Sequence, residues 1–389
     1  MSPWFTASAA GDTFREGLGL SVGQVAWLTG AVQVGFVVGT LVAAVLNLAD
    51  IVPSRSYFAA CALLAAAANG LLLLPTGFEA LLVLRFLTGF FLAGVYPPAM
   101  KMAATWFRSG RGMAIGTVVG ALTAGKAAPF LLRAGAGGDL GGVVFGASLA
   151  AAAGGLLVLA LYRDGPASFP RRPFDWGLVG TVVRHRKTRL ATWGYLGHMW
   201  ELYAVWSAIG LFFAAHFAER VPDPGSVAAF LAFWVIAAGA VGAVGAGVLA
   251  DRIGRERVAG GAMAISGTMA LTVGWLVGAP TWLVVVLALV WGVTVVADSA
   301  QFSALVTEVA PPHAAGTALT LQTSLGFLLT TVTIQGVPWI AQSVGWGPAF
   351  ALLAPGPVVG IWAMWRLSRL RASPTNGDPG RGGAATPPR

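Results

Sequence analysis

Apolar residues in this chain do not alternate as in a half-buried strand, nor mark one stripe as in a soluble helix; they come in long unbroken runs. Runs that reach the roughly 20 residues needed to cross a hydrocarbon layer lie near 24–48, 57–75, 80–100, 112–132, 141–162, 192–214, 226–250, 258–278, 281–304, 316–340 and 347–367. These eleven runs predict an all-α polytopic membrane protein. The turns between them are too short to hold soluble domains. The longest connection, 163–191, opens on prolines and arginines and closes on an amphipathic stretch. There Phe174, Trp176, Leu178, Val179, Val182 and Val183 suit a membrane surface, while Arg184, Arg186, Lys187 and Arg189 suit anionic lipid headgroups, a contact expected over 171–189. The linker divides the chain into helical halves at 1–162 and 192–371. The tail 372–389 has no apolar residue larger than alanine except proline and is expected to be disordered.

Composition agrees with lipid as the solvent. The 389 residues are 57% hydrophobic and 10% charged, against roughly 25% charged in a soluble domain. A net charge of +9 in a soluble protein would suggest nucleic-acid binding. Here the basic residues fall between the runs, so they report topology instead. With the loop after the first run on the inside, 19 Lys and Arg fall on that side and 3 on the other. This places the linker and the C-terminus in the cytoplasm of a cell whose inner membrane holds the chain. The single cysteine, Cys61, excludes a disulfide framework and a cysteine metal cluster. No cofactor, metal or nucleic acid is expected.

One loop carries a motif. Gly247-Val-Leu-Ala-Asp251-Arg252-Ile-Gly254-Arg255-Glu-Arg257 follows the run at 226–250. A carboxylate at a helix end, a glycine turn and arginines make a charge-linked hinge. The same position in the first half reads Leu48-Ala-Asp50-Ile-Val-Pro53-Ser-Arg55, a degraded copy in which both glycines are lost. The two aspartates stand about 200 residues apart, the mark of an internal repeat. The loop resembles the signature between the second and third helices of each half in the major facilitator superfamily. Arg85-Phe-Leu-Thr88-Gly89 resembles that family's fourth-helix signature, and Gly112, Gly116, Gly120, Gly125 and Pro129 resemble its fifth. The resemblance implies two six-helix bundles related by a pseudo-two-fold axis. Setting the run at 192–214 back by the repeat places the first helix across the start of the sequence, so Met1–Ala10 is expected to be only that helix's outer half.

Ionisable groups inside a span are costly, about 2.5–3.5 kcal/mol each, and so are candidates for function. Arg85 either faces the central cavity, as the resemblance implies for the fourth helix, or holds backbone carbonyls of a neighbour. Lys126 either sits desolvated among small residues or reaches outward toward Arg133. His198 and Glu201 are three residues apart and on one helical face, which suits a proton relay or a packing ion pair. Asp298 either belongs to the same pathway or reaches the cytoplasmic interface. Thr320, Ser324, Thr331 and Gln335 form one polar stripe that lines a wet path or bonds between helices.

This pattern points to a secondary active transporter of a small solute, a small organic anion being favoured by Arg85 and Lys126. Protons are the simplest coupling ion, since no phosphate-binding loop accompanies the helices. Symport, antiport and uniport stay open. The alternatives are a sensor or scaffold on a transporter fold, and an integral membrane enzyme, for which no nucleophile–base constellation is visible. Nitrate porters differ: runs 24–48 and 226–250 hold no arginine and 112–132 no asparagine.

Overall fold

The computed structural model describes residues 1–74, 77–107, 111–135, 139–166 and 174–372, apart from the side chains of Ala49, Asp50, Ala104, Arg111 and Gly112. The expected tail and the proline–arginine part of the linker lie outside these residues. All regular structure among the described residues is helical. The chain runs α1 (Thr6–Ala9), α2 (Gly11–Leu18), α3 (Val22–Val45), α4 (Leu48–Ile51), α5 (Ser54–Gly70), α6 (Phe78–Leu92), α7 (Tyr96–Trp106), α8 (Arg111–Gly135) and α9 (Leu140–Leu161). After the linker come α10 (Val179–Arg184), α11 (Arg186–Phe217), α12 (Pro224–Ile253), α13 (Arg255–Thr272) and α14 (Thr281–Ala297). The chain continues through α15 (Ser299–Val309), α16 (Ala315–Val344), α17 (Trp346–Ala351) and α18 (Pro355–Ala372).

Among the described residues ten helical stretches, rather than the eleven expected, are both long and apolar enough to cross a membrane. The difference is α11. Its 32 residues suffice in length, but His198, Glu201 and His216 lie in its middle and end and dilute its apolar character. It still packs at the centre of the molecule, and most of its residues are buried. Large apolar side chains such as Leu161, Val241, Trp275, Trp282 and Trp339 are exposed instead. A surface of that kind suits lipid, with tryptophans toward the helix ends.

Helix ends are set by local chemistry. Ser21 and Gln24 form a reciprocal capping box at the start of α3. Asp139 caps α9 and Asp223 caps α12 through backbone N–H groups. Between α12 and α13 the chain reverses at Gly254, whose φ of 95° is open to glycine and costly for other residues. This is the glycine turn read from the motif. Two spans break in the middle, at the junctions of α6 with α7 and of α14 with α15. The second break falls on Asp298.

Helices α3, α5, α6 and α9 pack mainly on one another, as do α11 to α18; the two groups meet where α8, which joins the first through α7 and α9, packs most extensively on α12, and where α3 crosses α16. In the first group α3 and α6 touch backbone to backbone; in the second, α12 and α14 do so, and so do α11 and α18. A Cβ on Gly89 would collide with the Val32 backbone, and one on Gly292 with the Val235 backbone. The α3–α6 and α12–α14 pairs are equivalent by the repeat. The N-terminal residues lie inside: Trp4, Phe5 and Thr6 are fully buried, and the path bends at Ala10 between α1 and α2. Met1–Ala10 was expected as the outer half of the first helix, and it is instead a turn followed by the short helix α1. In the linker, Val182 packs into the protein, while Trp176 and Val183 stay exposed.

The close crossings predict a contrast between glycines. Gly89→Ala and Gly292→Ala should each lower stability by about 1–3 kcal/mol, seen as a lower melting temperature in detergent. Gly245→Ala, with nothing within 4 Å of its added carbon, should be neutral or gain up to about 1 kcal/mol.

Candidate functional site

A small cavity lies where the two helix groups meet. From the first group it is walled by Met1, Trp4, Phe36, Tyr96, Val119, Leu122, Thr123 and Lys126. From the second come Tyr195, Met199, Leu202, Tyr203, Trp206, Val296, Ser299, Ser303, Thr323 and Phe327. The α11 positions recur at helical spacing, so one face of that helix forms a continuous wall.

Among the described residues Lys126 is the one charged side chain in this wall, and it is 1% exposed. It does not reach outward toward Arg133. Its Nζ lies 3.9 Å from the centre of the Trp4 ring, 4.3 Å from Tyr203, 5.4 Å from Trp206 and 5.9 Å from Phe327. It also donates to the Tyr203 hydroxyl. Aromatic faces offset part of the cost of burying an ammonium, about 2 kcal/mol for a well-placed desolvated ring. The rings support one another as well. Phe36 and Phe327 are 4.4 Å apart across the α3–α16 crossing, and Trp4 packs on both at 5.0 and 5.6 Å.

Arg85 lies outside this wall. Its Nε donates to Leu28 O at 3.2 Å, its Nη1 to Pro3 O at 2.8 Å and Asn69 Oδ1 at 2.9 Å, and its Nη2 to Trp4 O. Of the two readings open in the sequence, its geometry here is that of a carbonyl-holding arginine. It does not meet Glu201. Asn69 is fixed in turn by donating to Val144 O and Ser148 Oγ.

His198 and Glu201 take separate partners. His198 Nδ1 lies 2.8 Å from Asp298 Oδ1, with both side chains buried, so Asp298 does not reach the interface. The imidazole also packs near Tyr195 and Phe302. Glu201 turns toward α13 and α14: Ser266 Oγ donates to its Oε2 at 2.9 Å and Trp291 Nε1 to its Oε1 at 2.7 Å. Both donors are neutral. The pair His198–Asp298 adjoins the cavity, because Tyr195, Met199 and Ser299 line it beside them.

The α16 stripe does not face the cavity; Thr323 and Phe327 do. Thr331 bonds back to Leu328 O on its own helix. At the end where α12 meets α13, Arg255 donates to Glu308 at 2.7 Å and to Gln301 at 3.0 Å, with Asp251 3.9 Å away. Arg371, at the end of α18, bridges Glu256 at 2.9 Å and Glu308 at 3.2 Å. Arg55 and Arg252 are exposed, Gly247 is buried, and the Asp50 side chain is outside the described residues.

A second small cavity lies farther along α3, α11 and α16, lined by Ser8, Asp12, Arg15, Val25, Thr29, Ser207, Leu211, Ile334 and Pro338 among others. Sequence reasoning missed the aromatic partners of Lys126 and the Glu201 partners Ser266 and Trp291. The regular spacing of Tyr195, Met199, Tyr203 and Trp206 was the available signal for the first set. Ser266 and Trp291 left none.

The arrangement predicts a structural role for Arg85. Arg85→Met should cost about 3 kcal/mol or more, since it leaves several buried acceptors unpaired. Thermal unfolding in detergent measures this, and an unchanged melting temperature would show that the guanidinium does not hold these carbonyls.

The family model described as Major Facilitator Superfamily matches residues 1–234. No curated protein matches the chain.

Proposed function

We propose, from the premise that this chain belongs to the Major Facilitator Superfamily, that it is a secondary transporter moving a small organic anion by alternating access. The observation that carries the reading is the cavity between the two helix groups, in which Lys126 is the one charged side chain among the described residues. A buried ammonium without a carboxylate partner is an electrostatic site for an anion. Arriving carboxylate oxygens replace the Tyr203 hydroxyl as the partner of Lys126 and neutralise it.

The two cavities supply the path. On α11, Trp206 lines one and Ser207 and Leu211 the other; on α16, Phe327 lines one and Ile334 and Pro338 the other. Solute passing between them crosses the aromatic layer of Trp4, Phe5 and Trp206. Rocking of residues 1–162 against 192–371 about the α8–α12 and α3–α16 crossings opens that layer. The loop of Asp251, Arg255 and Glu308 is the charge-linked hinge on the cytoplasmic side, by the distribution of basic residues. The linker's basic residues rest on anionic headgroups there.

Protons supply the energy. Glu201 is a buried carboxylate held by two neutral donors, so its charged form carries a desolvation cost that protonation removes. His198 and Asp298, one turn along the same region, relay the proton toward the cavity.

Proteoliposomes holding the full chain test the reading. Uptake of labelled organic anions should occur with wild type and fall at least a hundredfold in Lys126→Met, with the fold checked by size-exclusion chromatography. Uptake unaffected by Lys126→Met would remove the cavity from the mechanism. Glu201→Gln should abolish accumulation driven by a proton gradient while leaving exchange between equal pools intact. If that mutant still concentrates substrate, the proton travels elsewhere.

A further inference from the structure

We propose that His216 and Arg220 form a pH-sensitive clasp at the end of the molecule opposite the Asp251 loop. It holds the turn between α13 and α14 to the end of α11 while the imidazole is neutral, and releases that turn when the imidazole gains a proton. The clasp is independent of the transporter reading; its effect on Glu201 rests on that reading.

The contacts fix the state of the ring. His216 lies on the last turn of α11 and is 3% exposed. Its Nδ1 is 2.7 Å from Val277 O. A carbonyl only accepts, so Nδ1 carries the proton. Its Nε2 lies 3.0 Å from Thr281 Oγ1 and 3.4 Å from Arg220 Nη1. A guanidinium only donates, so Nε2 presents its lone pair. One form of the ring meets both conditions, the neutral Nδ1–H tautomer.

Arg220 closes the clasp. Its Nη1 donates to Ala279 O at 3.0 Å and its Nη2 to Gly278 O at 2.9 Å. Three consecutive carbonyls, those of Val277, Gly278 and Ala279, are thus held by two side chains from one end of α11.

A proton on Nε2 changes one of these contacts in kind. Nδ1–H keeps Val277 O, and the new N–H turns to Thr281 Oγ1. The lone pair that faced Arg220 is gone, and two cations stand 3.4 Å apart. Arg220 is exposed, so it turns to water and lets go of Gly278 and Ala279. A buried histidine that folds neutral and must charge in acid weakens the structure as pH falls.

The other charges at this end have their own places. Residues 277–281 and helices α14, α16 and α17 contain no titratable side chain, and α12 has its own at the far end. Asp223 caps α12 through Ser226, with Arg133 of α8 near it. Asp12 and Arg15 of α2 face each other at 4.0 Å, and Glu219 is exposed.

The clasp holds the turn that joins the two helices bearing the donors to Glu201, Ser266 on α13 and Trp291 on α14. Releasing it frees both donors relative to α11. Acidity at this face then reaches Glu201 through the packing of helices, with no proton path between the two sites.

Isotope-labelled histidine in the full-length protein in bilayers tests the clasp, because the chain has four histidines and His216→Gln assigns the signal. The Nδ1–H tautomer is expected at about pH 8 and the imidazolium at about pH 5, across the range in which histidine ordinarily titrates. Deuterium uptake by residues 277–281, corrected for intrinsic exchange rates, should rise over the same interval. His216→Gln, with a donor and an acceptor but no charge to gain, should keep the turn protected at both ends of it. Arg220→Gln should leave the turn unprotected at both. On acidification the wild type should lose about 2 °C more in melting temperature than His216→Gln. An Nε2–H tautomer at high pH, or an acid response retained in His216→Gln, would overturn the clasp. In proteoliposomes, His216→Gln should flatten the response of uptake to acid on the His216 side. An unchanged response beside a working clasp would remove only the link to Glu201. Absence of any uptake would count against the transporter reading and leave the clasp standing.

Discussion

A hydrocarbon layer offers no water to a backbone carbonyl that has left its helix, so a donor must come from within the protein. Here the carbonyls of Pro3, Trp4 and Leu28 converge on one guanidinium, that of Arg85. The planar fork of arginine reaches several acceptors at once, which an ammonium does not do in the same geometry. This contact fixes the N-terminal segment against α3 and α6, and with it the Trp4 ring. Trp4 is the nearest wall of the Lys126 cage and packs on Phe36, Tyr203 and Phe327. A cation that touches no solute thus governs the surroundings of the one that lines the cavity.

The crossings that join the two helix groups differ in kind. Where α8 meets α12, small residues face each other, with Gly116 and Gly120 against Ala243 and Ala240. Where α3 meets α16, large rings interleave. Small residues let helices slide with little side-chain rearrangement, while interlocked rings favour discrete positions. Both midspan breaks add freedom, because α7 and α15 are separate from the helices they continue. Tyr96 opens one of these segments and Ser299 opens the other, and both residues line the cavity.

What the sequence revealed was local or costly. The turn at Gly254 was readable because a carboxylate, a glycine and arginines stand within a few residues of one another. Arg85, Lys126, His198, Glu201 and Asp298 stood out because charge is rare inside apolar runs, and all five are buried. Their partners were not readable. The acceptors of Arg85 are backbone carbonyls, which carry no sequence signature. Spacing put His198 beside Glu201, but the tertiary fold brings Asp298 to the imidazole from another helix. The direction Lys126 faces depends on the rotation of α8, and a single charge in a run of small residues does not define that rotation.

The position of the lone thiol has a practical consequence for watching this molecule move. Cys61 is buried on α5, close to Tyr57 and Gly94, away from both cavities. Thiol-reactive probes are hindered from reaching it, so the wild-type chain already serves as a near-silent background for site-directed labelling. Cysteines placed at exposed positions such as Arg55 and Arg252 accept spin labels or fluorophores without removal of the native residue. Inter-probe distances across the two helix groups then report directly on how far the halves separate during a cycle.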